Sequence, residues 1–286
     1  MDCLFWNCRG ANKPNFRRSI RYILKKFHTD VLAIFETHAG GDRAERICRG
    51  LGFDNSFRVD AVGQSGGLWM LWRSGVGDVT IVESSDQFIH AKFVNGLERI
   101  NIIAVYAAPS ASRRSGLWSQ LSSVIKKVVD SEEPLIIGGD FNTIIRLDER
   151  TGGNGRLSVD SLAFGDWINE NSLIDMGFKG NKFTWKRGCV ESNFIAKRLD
   201  RIFCCAHARL KWQEATVSHL PFLSSDHVPL FVQLSPEAKR DPSRRPFRFE
   251  AAWLKHSGFR ELLQNSWNQN RSTPEALYGL RLKLKK

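Results

Sequence analysis

The sequence predicts a mixed α/β fold, in which some strands are joined by helices and others by short turns. Nine apolar runs rich in Val, Ile and Phe recur within the first 235 of the 286 residues. Four segments between these runs show helical patterns. Because several runs follow one another with only a short polar interruption, the pattern indicates mixed sheets rather than a strict alternation of strand and helix.

The predicted strands are apolar runs of six or seven residues, a usual length for strands. Several are apolar at successive positions, which indicates strands that are buried on both faces. In chain order they are residues 3–8, 31–36, 67–72, 79–84, 88–94, 100–106, 135–141, 199–204 and 228–234.

Four helices are predicted, at about residues 15–27, 41–51, 113–130 and 158–171. The third shows the clearest pattern, because its apolar residues recur at three-and-four spacing and give it one apolar face. Those residues are Leu117, Leu121, Val124, Ile125 and Val128.

The composition changes after Leu234, where three prolines and a cluster of charges are typical of a linker. Residues 250–267 then resemble a short amphipathic helix. We therefore expect one domain over residues 1–235 and a basic tail over residues 236–286. Residues 1–235 carry 30 Lys and Arg against 25 Asp and Glu, whereas the tail carries 12 against 5.

Bulk composition narrows the class of protein. No apolar run reaches the length of a membrane span and no leader opens the chain, so we expect an intracellular protein without a membrane partner. The six cysteines form no CxxC pair, which speaks against a zinc site. The net charge of +12 favours a polyanionic partner such as DNA or RNA.

Polar residues stand where the predicted strands end. Asp140 and Asn142 follow the buried run and two glycines of "PLIIGGDFNTII", and strand alternation would place both side chains on one side if the strand continued through Phe141. A simple Asx turn explains that motif equally well. The glycines are expected to allow a sharp turn and a close approach of the substrate.

Other strand ends carry further groups that could serve chemistry, each with a simpler structural explanation when taken alone. A strand-end carboxylate is commonly solvated, a tyrosine is commonly a core residue, and Asp200 could pair with Arg198 or Arg201. The strand-end residues are Asn7, Glu36, Tyr106, Asp200, Asp226 and His227. Together they supply mostly oxygen ligands, which Mg²⁺ prefers, and one histidine that could move a proton.

With these motifs assembled, the chain resembles the endonuclease/exonuclease/phosphatase superfamily, which includes pancreatic deoxyribonuclease. The matching pieces are "WNCRG", "IFETH", "VYAAP", "GGDFN", "FTWKR", "KRLDRIF" and "SSDHVPL", in the order of the family. The resemblance implies a DNase I-like fold, a four-layer sandwich of two mixed sheets flanked by helices. It implies Mg²⁺ as the cofactor, with Mn²⁺ as the alternative ion.

More narrowly, the chain is similar to the endonuclease of plant LINE-type retrotransposons. The segments "SGGLWMLWRSG" (65–75) and "RRPFRFEAAWLKHSGF" (244–259) carry this similarity. In such polyproteins the tail leads toward a reverse transcriptase, which 286 residues do not reach, so we expect a fragment or solo copy. The similarity also implies a nuclear location.

The resemblance implies a role for each strand-end residue. Glu36 would bind the metal, with Asn7 close by and Asp226 completing the metal side. Two further sets of residues would act on the substrate or support those that do. The catalytic set is Asp140, Asn142, Asp200, His227 and Tyr106. The supporting and substrate-binding set is Thr184, Ser225, Arg187 and Arg198.

Within the catalytic set, Asp140 and Asn142 would orient water and phosphate, Asp200 would hold His227, and Tyr106 would lie against the phosphate. The sequence leaves open whether Asp140 or His227 is the base. The segment from Lys186 to Arg198 is predicted as a hairpin whose basic ends could enter a DNA groove.

The leading hypothesis is a Mg²⁺-dependent endonuclease that nicks one DNA strand, and the basic tail suggests RNA as another partner. Two alternatives remain open. One is a phosphatase or deadenylase of the same fold, and the other is an inactive retroelement remnant that at most binds nucleic acid. The sequence says nothing about oligomeric state.

Overall fold

The computed structural model describes residues 1–61, 66–152, 156–188 and 193–236, together with Phe259, Glu261 and Gln264. The chain forms two compact units, Met1–Pro236 and Glu237–Lys286. In the second unit, the three described residues have helical backbone. The rest of the predicted helix at 250–267 lies outside the described residues. Among the described residues, no helix has the length and apolarity needed to span a bilayer.

The described part of the first unit contains fifteen strands. In chain order they are β1 (Asp2–Asn7), β2 (Val31–Phe35), β3 (Asn55–Val59), β4 (Leu68–Trp72), β5 (Asp78–Ser84), β6 (Phe88–Asn95), β7 (Glu98–Tyr106), β8 (Leu135–Asp140), β9 (Arg150–Thr151), β10 (Ile174–Asp175), β11 (Trp185–Arg187), β12 (Ile195–Lys197), β13 (Asp200–Cys204), β14 (Thr216–His219) and β15 (Leu230–Gln233).

Five α-helices accompany these strands in the described residues. They are α1 (Pro14–Lys26), α2 (Gly41–Arg49), α3 (Ala111–Asp130), α4 (Val159–Glu170) and α5 (Ala206–Lys211). Proline at the start of α1 suits the first turn of a helix, where no backbone N–H is needed. The Ser158 hydroxyl caps α4 by accepting a hydrogen bond from the Ser161 backbone N–H.

The strands form two six-stranded sheets and one small sheet. The first sheet has the order β14-β15-β1-β2-β4-β3, the second has the order β10-β13-β8-β7-β6-β5, and the small sheet has the order β11-β12-β9. Each large sheet has one parallel pair at its centre, β1 with β2 and β7 with β8. All other pairs between neighbouring strands are antiparallel.

Strand alternation divides the first sheet between two cores. In β1, Cys3 and Phe5 join the large core between the sheets, whereas Leu4 and Trp6 join a smaller core on the outer face. Helices α1 and α2 cover that outer face; α1 does so through Phe16, Ile20 and Ile23. The sandwich therefore has helices outside its first sheet.

The second sheet is covered by α3 and α4 through a cluster of aromatic rings. Trp118 of α3 packs on Phe141, which follows β8, and Phe164 of α4 meets Phe203 of β13 edge-on. The neighbouring Ile202 faces the opposite way, toward the core between the sheets. The architecture is thus helix, sheet, sheet, helix, as predicted.

All nine predicted strands and all four predicted helices are present. The strands that prediction missed include both ends of the first sheet, β3 and β14. Strand β3 has no buried residue, and only alternate residues of β14 are buried. Edge strands with exposed faces lack the apolar runs on which the prediction rested.

His219, at the end of β14, is expected to make stability fall in mild acid. Its ring stacks on the Phe178 ring with 4.4 Å between the ring centroids, and its Nδ1 lies 2.6 Å from the Asn181 carbonyl oxygen. Burial lowers the pKa of His219 to about 4. Between about pH 6.5 and that value, the unfolded chain binds a proton that the folded protein excludes. The free energy of unfolding should therefore drop as pH falls through this window.

The measurement is urea unfolding at pH 7 and pH 5, for the wild type and His219→Phe. The variant keeps a stacking ring and loses the titration, so the wild type should lose about 2 kcal/mol more than the variant. An equal loss in the two proteins would show that His219 does not cause the effect.

Candidate active site

The carboxyl ends of both parallel strand pairs meet at one end of the sandwich. Asn7 ends β1, and Glu36 directly follows β2, its parallel neighbour. Tyr106 ends β7 in register with Asp140, the last residue of β8. Because parallel strands end at the same edge of a sheet, chain direction brings Asn7 beside Glu36 in the first sheet and Tyr106 beside Asp140 in the second. The docking of the two sheets then brings the two pairs together.

Asp200 and His227 reach the same place through antiparallel strands. Asp200 begins β13 directly opposite Asp140 in the register of the second sheet. His227 lies just before β15, which is the other neighbour of β1. Its Nδ1 lies 2.9 Å from Asp200 Oδ2, and its Nε2 lies 3.7 Å from Asp140 Oδ2.

Three hydrogen bonds cross between the two sheets at this end. The Asn7 side-chain amide donates to Asp140 Oδ2 at 2.9 Å, and the Tyr106 hydroxyl donates to Glu36 Oε1 at 2.8 Å. The contact between His227 and Asp200 is the third. Asn7 also donates to Glu36 Oε1 at 3.2 Å, so one amide links both carboxylates. The site exists only where the sheets are docked.

Glu36 is held in a left-handed backbone conformation, with φ of 49°. Arg9, His38 and Asn142 share this conformation, and all three also lie at this end of the sandwich. A non-glycine residue in this region costs free energy and persists only where its surroundings fix it. Arg9 and His38 both face the Glu36 carboxylate, at 3.3 and 3.5 Å from Oε2.

Asn142 is placed by a turn and not by strand alternation. Strand β8 ends at Asp140, and Asn142 has φ of 51°. Its backbone N–H donates to Asp140 Oδ1 at 2.9 Å, and its side-chain amide donates to the Ala107 carbonyl at 2.8 Å. Of the two alternatives left open by the sequence, the structure has the Asx turn and not a strand that continues through Phe141, and this turn is part of the site.

The two glycines before Asp140 serve packing. Both are buried within β8, where a Cβ on Gly138 would lie 2.5 Å from Ile202 Cδ1 and 2.9 Å from Phe5 Cε1. Gly139 has φ of 143°, and a Cβ there would lie 1.9 Å from the Val105 carbonyl oxygen. The chain makes no sharp turn at the glycines, contrary to the expectation, because both lie within β8. Their missing side chains leave room for the opposite sheet and for a neighbouring strand.

Burial and charge set the protonation of the buried pair of Asp140 and His227. Burial raises the pKa of Asp140, and the Asp200 charge acts in the same direction. Burial would lower the pKa of His227, but the charges of Asp200 and Asp140 outweigh it and raise that pKa. Burial also raises the pKa of the Tyr106 hydroxyl, which therefore stays a donor.

Thr184 and Ser225 support the site through the backbone. The buried Thr184 hydroxyl accepts hydrogen bonds from the backbone N–H groups of Leu199 and Asp200, both at 2.9 Å. Ser225 donates to the Asn7 carbonyl at 2.7 Å and accepts from the His227 N–H at 3.1 Å. Each hydroxyl thus fixes the position of a residue that carries a functional group.

A positively charged side chain lies between two carboxylates that are predicted to bind the metal. The Arg9 guanidinium lies between Glu36 and Asp226, contacting both carboxylates, and Trp185 Nε1 donates to Asp226 Oδ2 at 3.0 Å. The Glu36 and Asp226 carboxylates therefore face one positive charge together. Carboxylate oxygens are the ligand type that Mg²⁺ prefers, and here one guanidinium occupies the space between the two groups.

Among the described residues, one group of side chains lies close enough together to hold a metal ion. Donor atoms of Asp140, Asp200 and His227 lie within 4.8 Å of one another, and all three residues are buried. This group overlaps the predicted catalytic set rather than the predicted metal set. Asn7 connects this group to the predicted metal ligand Glu36, because its amide donates to both Asp140 and Glu36.

The structure places Arg187 and Arg198 differently. Arg187 is exposed at the end of β11, whose pairing with β12 forms the predicted hairpin arms. Arg198 is only 7% exposed, and its guanidinium pairs with Asp175 at 2.8 Å and with Glu149 at 3.5 Å. The expectation that Arg198 lies at an exposed hairpin end is wrong, because the half-buried Asp175 and the buried Glu149 hold its guanidinium inside.

Sequence reasoning missed three residues of the site: Arg9, His38 and Trp185. All three stand inside motifs already recognised, "WNCRG", "IFETH" and "FTWKR". Arg9 and His38 follow strand ends by two residues or more, where a turn and not the strand sets the direction of the side chain. The only signal in the sequence was that Arg9 lies close to Asn7, and His38 close to Glu36, along the chain.

Comparison with known proteins agrees with this geometry. A model of the endonuclease/exonuclease/phosphatase family matches residues 4–227. A protein of Xenopus laevis, described as the transposon TX1 uncharacterized 149 kDa protein, is 27% identical over 186 residues. The aligned region is 63% of this chain and 14% of that protein, so the chain spans a small part of its relative.

Solved structures share the fold. The endonuclease domain of TRAS1, a telomere-specific non-LTR retrotransposon, superposes with a TM-score of 0.61 at 15% identity, covering 81% of this chain and 97% of that domain. The AP endonuclease LMAP from Leishmania major has a TM-score of 0.66 at 15% identity, covering 81% and 86%. These likenesses confirm the DNase I-like architecture. With its family match over most of its length, the chain belongs to the endonuclease/exonuclease/phosphatase family.

Proposed function

We propose that this protein is a metal-dependent phosphodiesterase that nicks one strand of DNA. The observation that carries the proposal is the buried arrangement of Asp140, His227 and Asp200 beside the Glu36 carboxylate. Such a set can hold a cation, position water and donate to a phosphate without any covalent nucleophile. Glu36, Asp226 and Asp140 would hold Mg²⁺, with Mn²⁺ as an alternative.

The hydrogen bonds support a division of labour among the residues. Asp200 accepts from His227 Nδ1, which leaves Nε2 directed at the region beside Asp140. We assign His227 to donate to the phosphate, Asp140 to orient the attacking water, and Asn142 to contact the phosphate. When bound, Mg²⁺ would lower the charge of the phosphate and stabilise the leaving oxygen.

A cationic cavity beside the site supports a polyanionic substrate. This cavity of about 370 Å³ has Asn142 in its wall, together with the cations Arg150, Arg156 and Lys197. The pKa of Lys197 is lowered by burial and by the charges of Arg150 and Arg114. A lining with this excess of positive charge suits a phosphate next to the scissile one, as a DNA strand provides.

The similarity to the TX1 protein and the fold of the TRAS1 domain support an origin in a LINE-type retroelement. A plant source, nuclear action and RNA binding through the basic tail belong to this proposal. They follow from the sequence motifs at 65–75 and 244–259 and from the charge of residues 236–286.

The test is the conversion of supercoiled plasmid to open circles by the full chain. Nicking is expected with Mg²⁺ and not with EDTA, and Glu36→Gln should lower the rate at least 100-fold at a fixed Mg²⁺ concentration, because the amide is a weaker metal ligand. The same samples should release no phosphate from a 3′-phosphorylated oligonucleotide. Phosphate release without nicking would identify a phosphatase instead. If the wild type showed neither reaction above the level of Glu36→Gln, the result would indicate an inactive remnant.

A further inference from the structure

A second basic feature lies on the outer face of the first sheet. A cleft of about 380 Å³ runs between α1 and α2, with the buried side chains of Ile20 and Ile47 in its lining. Four exposed arginines complete the lining, two from each helix. They are Arg17, Arg21, Arg43 and Arg46. None of the residues that line this cleft belongs to the candidate active site.

The four guanidinium groups have no carboxylate partner within the described ranges of the chain. Of the two carboxylates of α2, Glu45 pairs with Arg49 and Arg58, and Asp42 makes no ion pair with the four arginines. Arg46 donates only to the Asp42 backbone carbonyl, at 3.3 Å. The cleft thus concentrates positive charge that the described protein does not neutralise.

Helix α1, which forms one wall of the cleft, carries a large positive charge. Helix α1 contains five Lys and Arg and no acidic residue. Residues 1–235 carry 30 Lys and Arg against 25 Asp and Glu, so the excess of the whole unit equals the charge of this one helix. The remainder of the unit is balanced, and a uniformly basic surface cannot explain the cleft.

Helix stability does not explain the pattern either. Arg17, Arg21 and Lys25 follow one another at four-residue spacing, where like charges repel and destabilise a helix. The packing of Phe16, Ile20 and Ile23 against the outer core holds α1 in place. Neutral residues at the exposed positions would preserve that packing, so the stability of the helix does not require the arginines.

We propose that the cleft between α1 and α2 binds the phosphate backbone of a single nucleic-acid strand, at a site separate from the active site. Guanidinium groups bind phosphate oxygens in a bidentate manner. The side chains in the lining offer donors and no acceptors, which matches a phosphate backbone and not a peptide, whose N–H groups need acceptors. The cleft has a volume of about 380 Å³ and is lined by two arginines from each helix, which suits a single phosphate backbone lying between them.

The experiment measures binding of the full chain to a fluorescein-labelled single-stranded 20-mer by anisotropy, in EDTA so that no metal-dependent cleavage occurs. The test variant carries Arg17→Gln, Arg21→Gln, Arg43→Gln and Arg46→Gln. The control carries Lys126→Gln, Lys127→Gln, Lys179→Gln and Arg209→Gln, four exposed cations outside the cleft, so it loses the same charge. Thermal unfolding confirms that both variants fold.

We expect the cleft variant to bind at least tenfold more weakly than the control at about 0.1 M salt. Its plot of log affinity against log salt should be shallower by about three, since each phosphate contact on a single strand contributes roughly 0.7. Equal binding by the two variants would overturn the proposal. The proposal would also be overturned if polyglutamate displaced the labelled strand as effectively as an unlabelled strand does. That result would indicate an acidic protein partner. Because the assay requires no cleavage, its outcome is independent of the proposed nuclease activity.

Discussion

Asp140→Asn is expected to reduce plasmid nicking about 1,000-fold or more while leaving the fold intact. The asparagine has the same size but is neutral, so it is a weaker metal ligand and cannot take up a proton, a role that alone contributes roughly 100- to 10,000-fold. Asp140 is fully buried between Asn7, Asn142 and His227, and burial of its charge opposes folding. The thermal midpoint of the variant should therefore match or exceed that of the wild type.

Single-turnover nicking rates, measured beside thermal unfolding, separate chemistry from folding. Asp166→Asn is the matched control, since Asp166 is exposed on α4 and the same chemical change is made away from the site. Its rate should equal that of the wild type. A rate for Asp140→Asn within tenfold of this control would contradict the assigned role.

Gly139→Ala is expected to destabilise the protein by about 3–5 kcal/mol, combining the costs of overpacking and backbone strain. The added Cβ would lie 1.9 Å from the Val105 carbonyl oxygen, and the φ of 143° disfavours any side chain. Neither partner can move away easily, since both belong to the paired central strands β7 and β8. Urea unfolding measures the loss, which could appear first as a low yield of soluble protein.

Gly116→Ala provides the opposite outcome in the same protein. Gly116 lies inside α3, and a Cβ there would meet nothing within 4 Å. Alanine is a better helix former by roughly 0.5–1 kcal/mol, so this variant should be slightly more stable than the wild type. If both alanine variants changed stability by the same amount, the packing role of Gly139 would be refuted.

The sequence was informative wherever a local pattern determined the structure. Apolar runs located β8 and β2 and showed that Asp140 and Glu36 stand at strand ends. Because these strands belong to different sheets, the sandwich that brings the two residues together was predicted from the family resemblance and not from the local pattern. The prediction for Asp200 and His227 needed the motif order, because their contact joins residues 27 apart from strands of different sheets.

Long-range charge pairing was not predictable from local pattern. Arg198 is drawn inside by Asp175 and Glu149, which lie 23 and 49 residues away in sequence. Arg201 joins the same carboxylates, so two neighbouring arginines are buried in what a sequence pattern presents as a basic surface. The turn residue Arg9 was overlooked, and the turn at Asn142 stayed one of two alternatives, because left-handed backbone gives no periodic signal.

The three hydrogen bonds that cross between the sheets make the site a measure of how the two halves of the sandwich are aligned. Any ligand that bridges Glu36 of one half and Asp140 of the other binds only the aligned state, and by mass action it stabilises that alignment. Substrate occupancy and resistance to unfolding are thus thermodynamically linked. A mutation that loosens the halves far from the site would weaken ligand binding as well, with every residue of the site unchanged.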